Sequence, residues 1–161
     1  MVPTDLLKEY QFFRGLGDTQ LAKLAAIAEE VTYEAGTQMY RKGDPAKNFY
    51  VVEEGKVVMV MDSYMGPHRP PMQVTVDIVA KGEVMGWSAV VEPHQYIFGA
   101  LCIEKSTLIA FEGSKLRDLL QEDPSLGFKI MQETAHVIAS RLNHTTIILV
   151  GERGLASLTD Y

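Results

Sequence analysis

A single cysteine stands among the 161 residues, and its solitude narrows the chemistry at once. Cys102 cannot close a disulfide within one chain or supply a four-cysteine metal or iron-sulfur site, so a reducing compartment is the expected home. Long apolar runs are missing too, with none approaching the length of a membrane span. The opening "MVPTDLLKEY" carries Asp5 where a secretory signal would carry positive charge. The expectation is a cytoplasmic protein with no membrane association. Cations are the scarcer charge, 15 Lys and Arg against 21 Asp and Glu, for a formal net charge of -6. That balance works against phosphate-driven attachment to nucleic acid or to an anionic surface.

Locally the deficit is sharper. The stretch "GWSAVVEPHQYIFGALC", from Gly86 to Cys102, has the look of a ligand loop set between two strands, yet it holds no Lys or Arg. An anion would find few partners there. Histidine is sparse as well: His68 and His94 fall in the strand region, in separate proline-containing loops, too far apart to converge as ligands of a metal-dependent cupin barrel. No Ser/His/Asp arrangement, phosphate-cradling loop or dinucleotide-binding glycine fingerprint is present. The chain therefore reads as a non-enzyme without a metal site.

What is present suits one core. With 47% hydrophobic and 22% charged residues, a chain of this length forms a single domain, taken as 1–161, without repeats, linkers or low-complexity tracts. The helical start covers 4–30, broken by Gly15 and Gly17. Its second helix shows Leu21, Leu24, Ala25 and Ala28 at helical spacing, with Asp18 or Thr19 placed as the cap. From 31 to 112 short apolar runs alternate with glycines such as Gly36, Gly43 and Gly55, the punctuation of strands and tight turns. The run from Lys56 to Met61 suits a strand covered on both faces, and Val74, Val76 and Ile78 suit a half-buried one. Between them "DSYMGPHRPPM" reads as a hairpin loop in which Tyr64 and Met65 either make a contact site or fold back on the loop, the second being favoured. Closing helices fill 113–150, Gly151 caps the last of them, and 151–161 is a tail. The layout is α+β, a β-roll or jelly-roll-like barrel with N-terminal helices and a long C-terminal dimerisation helix.

The last helix carries a heptad seam. Phe128, Met131, Ala135, Ile138, Leu142, Thr145 and Leu149 recur at steps of three and four, and a second stripe, Ile130, Thr134, Val137, Arg141 and Ile148, lies beside it. One face is expected to pack on the barrel and the other to pair with a second copy in a parallel homodimer. The alternative is one broad stripe packed wholly on the chain's own barrel.

The run "YEAGTQMYRKGDPAKNFYVVEEGKV", followed by "KGEVMGWSAVVEP", a strand and two helices, resembles the cyclic-nucleotide-binding domain of the catabolite activator and fumarate-nitrate regulator superfamily. The resemblance spans Phe12 to about Leu149. It implies a β-roll that holds a small-molecule ligand, with a long helix over the pocket that pairs with a second subunit and shifts on occupancy. In binding members the loop reads approximately Gly-Glu-Leu-Ala, then Arg-Ala-Ala or Arg-Ser-Ala; the Glu takes the ribose and the Arg the phosphate. Here Gly86 matches the first Gly, Trp87 replaces Glu, Ser88 follows, Ala89 matches Ala, Phe98 replaces Arg, and Gly99 and Ala100 complete the second motif. A charge-assisted hydrogen bond contributes roughly 1.5–3 kcal/mol, so losing two weakens cyclic nucleotide binding by roughly two to four powers of ten.

The resemblance thus implies a regulatory sensor with a degenerate phosphate cassette, unlike the usual cyclic AMP site. Three readings of the pocket stay open. Trp87 and Phe98, with Tyr96 and Ile97, line an aromatic cavity for an apolar or weakly polar guest, or they fill the seat and leave an adaptor module that works through a protein partner. In the third, backbone amides near Gly86–Ala89 and a replacement cation, His94 or Arg141, still hold a cyclic nucleotide. A haem-based variant, with His94, His136 or Cys102 as axial ligand, is a further possibility. The segment "GERGLASLTDY" with its one Arg153 cannot form a three-helix DNA reader, so direct DNA binding is not expected.

Overall fold

The computed structural model describes residues 1–159. Two short helices open the chain, α1 (Thr4–Lys8) and α2 (Asp18–Ile27), with a 3-10 turn at Gln11–Phe13 between them. Asp18 is the first helical residue of α2 and not its cap. Gly17 holds that place, its N–H donating to Gln20 Oε1 at 3.2 Å, while the Asp18 charge sits in the first turn where the helix dipole favours it. Ala28 already pairs with Phe111, so the strands begin at 28 and not at 31.

Two four-stranded antiparallel sheets follow. One runs in the order β1 (Ala28–Tyr33), β8 (Ser106–Glu112), β3 (Asn48–Glu54), β6 (Val84–Met85); the other runs β2 (Gln38–Tyr40), β7 (Gly99–Cys102), β4 (Val57–Ser63), β5 (Met72–Val79). The expected β-roll with a long closing helix is what forms. Strands β3, β4 and β8 are central, and their near-continuous apolar runs are buried on both faces. Phe12 and Phe13 of the 3-10 turn meet Phe49 and Phe111 at ring distances of 5.3 and 5.8 Å, sealing the helical end of the core.

Strand β5 departs from the half-buried pattern expected of it. It is an edge strand, and a register shift opposite Met59 and Val60 leaves Val76 without a pairing partner. The extra residue breaks the period-two alternation, so Val74 and Ile78 are exposed and Val79 carries the burial. The hairpin loop before it points Tyr64 outward at 78% exposure, against the expectation that it folds on its own loop.

Helix α3 (Gly113–Glu122) leads into α4 (Pro124–Thr159). At 36 residues α4 is about 54 Å long, and it runs nine residues past the expected end at 150. Gly151 is no cap: the helix runs through it and through Gly154, because one exposed glycine costs a helix only about 1 kcal/mol relative to alanine and no proline follows. The expected tail is therefore helical up to residue 159, and its positions 160 and 161 lie outside the described residues. No described helix is long and apolar enough to cross a membrane.

The two faces of α4 separate over its first half, and Ile148 of the inner stripe is 43% exposed because the helix has by then run past the roll. Ile130 and Thr134 are buried, and Val137 and Arg141 half-buried, against the roll. On the seam, Phe128 and Leu142 are 69% and 67% exposed; Met131, Ala135, Thr145 and Leu149 are exposed as well, and Ile138 is half-buried.

Candidate ligand site

Gly86 opens the loop in the left-handed conformation, with φ of +73°, and a 3-10 turn follows at Trp87–Ala89. Only glycine fits there. A Cβ would sit 2.7 Å from the Asn48 carbonyl and 3.4 Å from the rings of both Tyr50 and Tyr96. The turn's carbonyls are held from outside: His94 Nδ1 lies 3.1 Å from the Ser88 oxygen, and Arg117 Nη1 of α3 donates to the Ala89 oxygen at 2.7 Å. The Ala89 amide already donates to the Gly86 carbonyl at 3.0 Å.

Trp87, Ser88, Ile97 and Phe98 come together with Gly86, while Ala89, Gly99 and Ala100 do not line the same space. Around them stand Tyr96, which the sequence had placed there, and two residues that sequence reasoning passed over, Tyr40 and Met59. The Tyr96 ring stacks on Tyr40 with centroids 3.5 Å apart and planes at 11°. Its hydroxyl donates to the Asn48 carbonyl at 2.7 Å and accepts from the Asn48 amide at 3.1 Å. The Tyr50 ring lies nearly parallel to that of Tyr40, with centroids 6.5 Å apart. The space left among these side chains is about 10 Å³, room for one water molecule at most.

Gly99 and Ala100 are buried on β7 beside this cluster. A Cβ on Gly99 would meet Val60 Cγ2 at 2.8 Å and Gln38 Nε2 at 3.2 Å, so that position admits no larger residue without movement. Burial pushes the Tyr96 phenol up to about 12 and raises those of Tyr40 and Tyr50 as well. All three are neutral hydroxyls near pH 7. The Tyr40 hydroxyl is buried without a partner.

Both candidate replacement cations have partners of their own. Arg141 Nη1 donates to Asp77 Oδ2 at 2.6 Å and Nη2 to the Val84 carbonyl at 3.0 Å, so it pins α4 to the β5–β6 segment. His94 is half-buried with a φ of +58° and faces the Ser88 carbonyl, which a phosphate would not replace without breaking the turn. Of the candidate haem ligands, Cys102 is buried in the core, where desolvation pushes its thiol up, and His136 lies on α4, away from the loop. Among the described residues no three His, Cys, Asp or Glu side chains gather as metal ligands. The aromatic stacking had one readable signal, the tyrosines themselves, Tyr40 at the end of β2, Tyr50 in β3 and Tyr96 in the loop before β7; the Asp77–Arg141 pair had none, since its partners are 64 residues apart.

Comparison with known proteins agrees with this architecture. The solved structure of a cyclic nucleotide-binding protein from Geobacter metallireducens GS-15 is 27% identical and superposes with a TM-score of 0.76, covering 88% of this chain and 99% of that one. The cAMP-dependent protein kinase regulatory subunit of Dictyostelium discoideum is 31% identical over 64 residues, 40% of this chain and 20% of that subunit. The corresponding subunit of Eremothecium gossypii is 40% identical over 52 residues, 32% of this chain and 11% of its own length. The chain thus spans a fifth or less of the length of these kinase subunits. The model of the cyclic nucleotide-binding domain matches residues 30–123, more than half of the sequence and all of the roll but the first two residues of β1, and the chain belongs to that family.

Proposed function

We propose that this member of the family is a non-enzymatic, dimeric regulatory domain whose phosphate loop is closed by its own side chains, so that cyclic AMP and cyclic GMP do not bind in the usual pose. The observation that carries this reading is the cavity of about 10 Å³ at the loop, with Tyr96 stacked on Tyr40 inside it. A nucleotide needs a volume of several hundred Å³. Gly86, Trp87, Ser88 and Phe98 then line a filled seat, with Ala89, Gly99 and Ala100 beside it, and an apolar guest would need the same rings to move. Trp87 and Phe98 offer a phosphate no charge, and Arg141 is already committed to Asp77.

In this reading the working surface is α4. The loop is tied to α3 through Arg117, and α3 meets α4 at Gly127, where a Cβ would run into the Leu120 carbonyl. Any change at the loop is thereby passed to the helix that bears the exposed seam. Pairing of Phe128, Met131, Ala135, Ile138, Leu142, Thr145 and Leu149 with a second copy would cover that seam, and a protein partner would read the resulting dimer surface.

Thermal-shift titration of the purified chain tests the closed loop. Cyclic AMP and cyclic GMP are expected to leave the midpoint unchanged up to roughly millimolar concentration. Stabilisation at micromolar nucleotide would overturn the reading. A visible spectrum of the protein as isolated is expected to show no haem band.

A further inference from the structure

The seam of α4 begins at a groove. About 540 Å³ of space lies between the first turns of α4, the end of α3 and residues 90–94 of the ligand loop. Its helix wall is made of Pro124, Gly127, Phe128 and Met131. Phe128 and Met131 are the first two seam positions, and Pro124 and Gly127 stand four and one residues before Phe128. Four residues at those offsets are the socket of a parallel coiled coil, the hole into which the facing helix inserts its first knob. In a two-fold pair of identical chains that knob is Phe128 of the second copy.

The socket is built for a large knob. Gly127 brings no side chain, and a Cβ there would run into the Leu120 carbonyl, so α3 passes close and Leu120 stands at the back of the socket. Half-buried Val90, from the loop, extends the apolar wall beyond it. Phe128 is 69% exposed and Met131 38%, so the chain's own roll leaves both rim residues uncovered. A helix pairing along the rest of the seam runs about 8–10 Å away and brings its own first turn to the mouth of this groove.

We propose that the second copy of the chain occupies the groove, with its Phe128 seated between Leu120 and Val90. The inference rests on the dimer reading above and adds the ligand loop to that interface. Val90 follows the Trp87–Ala89 turn, and Arg117, which holds the Ala89 carbonyl, lines the same groove. Each loop is then completed by a side chain of the other chain, and a change in the loop reaches the dimer directly as well as through α3.

Sedimentation equilibrium of the full chain tests this. The parent is expected to be dimeric, and both Phe128→Ala and Val90→Asp, the second of which lies outside α4, should raise the dissociation constant at least about tenfold without changing the circular dichroism. A dimer indifferent to either substitution would overturn the groove contact and leave the rest of the seam standing; a monomeric parent would overturn the contact and the dimer reading together. Should Val90→Asp fail to fold, hydrogen exchange in the unaltered protein decides. The Val90 and His94 amides, which donate to the Trp87 and Val91 carbonyls, are expected to exchange faster once dilution separates the chains. Equal rates at high and low concentration refute the contact.

Discussion

Tyr96 is held at both ends, its ring on Tyr40 and its hydroxyl on both backbone groups of Asn48. Tyr96→Phe keeps the stack and orphans those two groups, which should cost about 1–3 kcal/mol in a urea unfolding curve. An unchanged midpoint would mean that the Asn48 groups find other partners and that the hydroxyl does not lock the seat. Glu53 offers a second single-residue test. Desolvation first, then the neighbouring Glu30 charge, raises its pKa, and its Oε2 is buried without a partner. The sign follows from linkage: a carboxyl whose folded pKa is raised favours folding below its unfolded value near 4.5, and that contribution is lost as pH rises through the folded one. Glu53→Gln should therefore raise the melting temperature at pH 7, with the gain shrinking toward zero below about pH 4. A gain independent of pH would assign the effect to packing. At this scale the sequence was partly legible. The absence of Lys and Arg from Gly86 to Cys102 was plain, because it is read directly from the residues. That Tyr40 and Tyr96 stack beside Trp87 and Phe98 was not, because the contact joins the end of β2 to the loop before β7 and leaves no periodic trace.

At the scale of elements, α4 was the most readable, since its two stripes are local and periodic. Ile130 and Thr134 went inward and Phe128 and Leu142 outward as their spacing predicted. Strand β5 was misjudged because a bulge is a property of two strands in register, and one strand's alternation cannot announce it. Leu142→Asp tests the outward face: the chain should elute as a monomer on a sizing column where the parent elutes as a dimer, and an unshifted elution would remove the seam as an interface. Arg141→Ala tests the inward face. Arg141 and Asp77 are 15% and 23% exposed, so removing one partner leaves a largely buried carboxylate and should cost about 1–3 kcal/mol, less than a fully buried pair. Hydrogen exchange should quicken in α4 beyond Val137 while the roll keeps its protection. Uniform protection throughout would show that the helix is held by apolar contacts alone.

Over the whole molecule, a roll that belongs to the cyclic nucleotide-binding family leaves a space of about 10 Å³ among the side chains at the Gly86 loop and a cleft of about 560 Å³ under its long helix. The glycine-spaced turns made the fold legible; Gly36, Gly43, Gly55, Gly82 and Gly86 all have positive φ, the conformation that only their spacing announced. Cavities were illegible, since their volume depends on how distant side chains meet. The most direct measurement uses the single tryptophan, Trp87, which stands in the loop itself. Cyclic AMP titrated into the protein should leave the emission of Trp87 unchanged in both intensity and wavelength up to roughly millimolar concentration. A saturable change with a micromolar midpoint would place nucleotide in the loop and contradict the account.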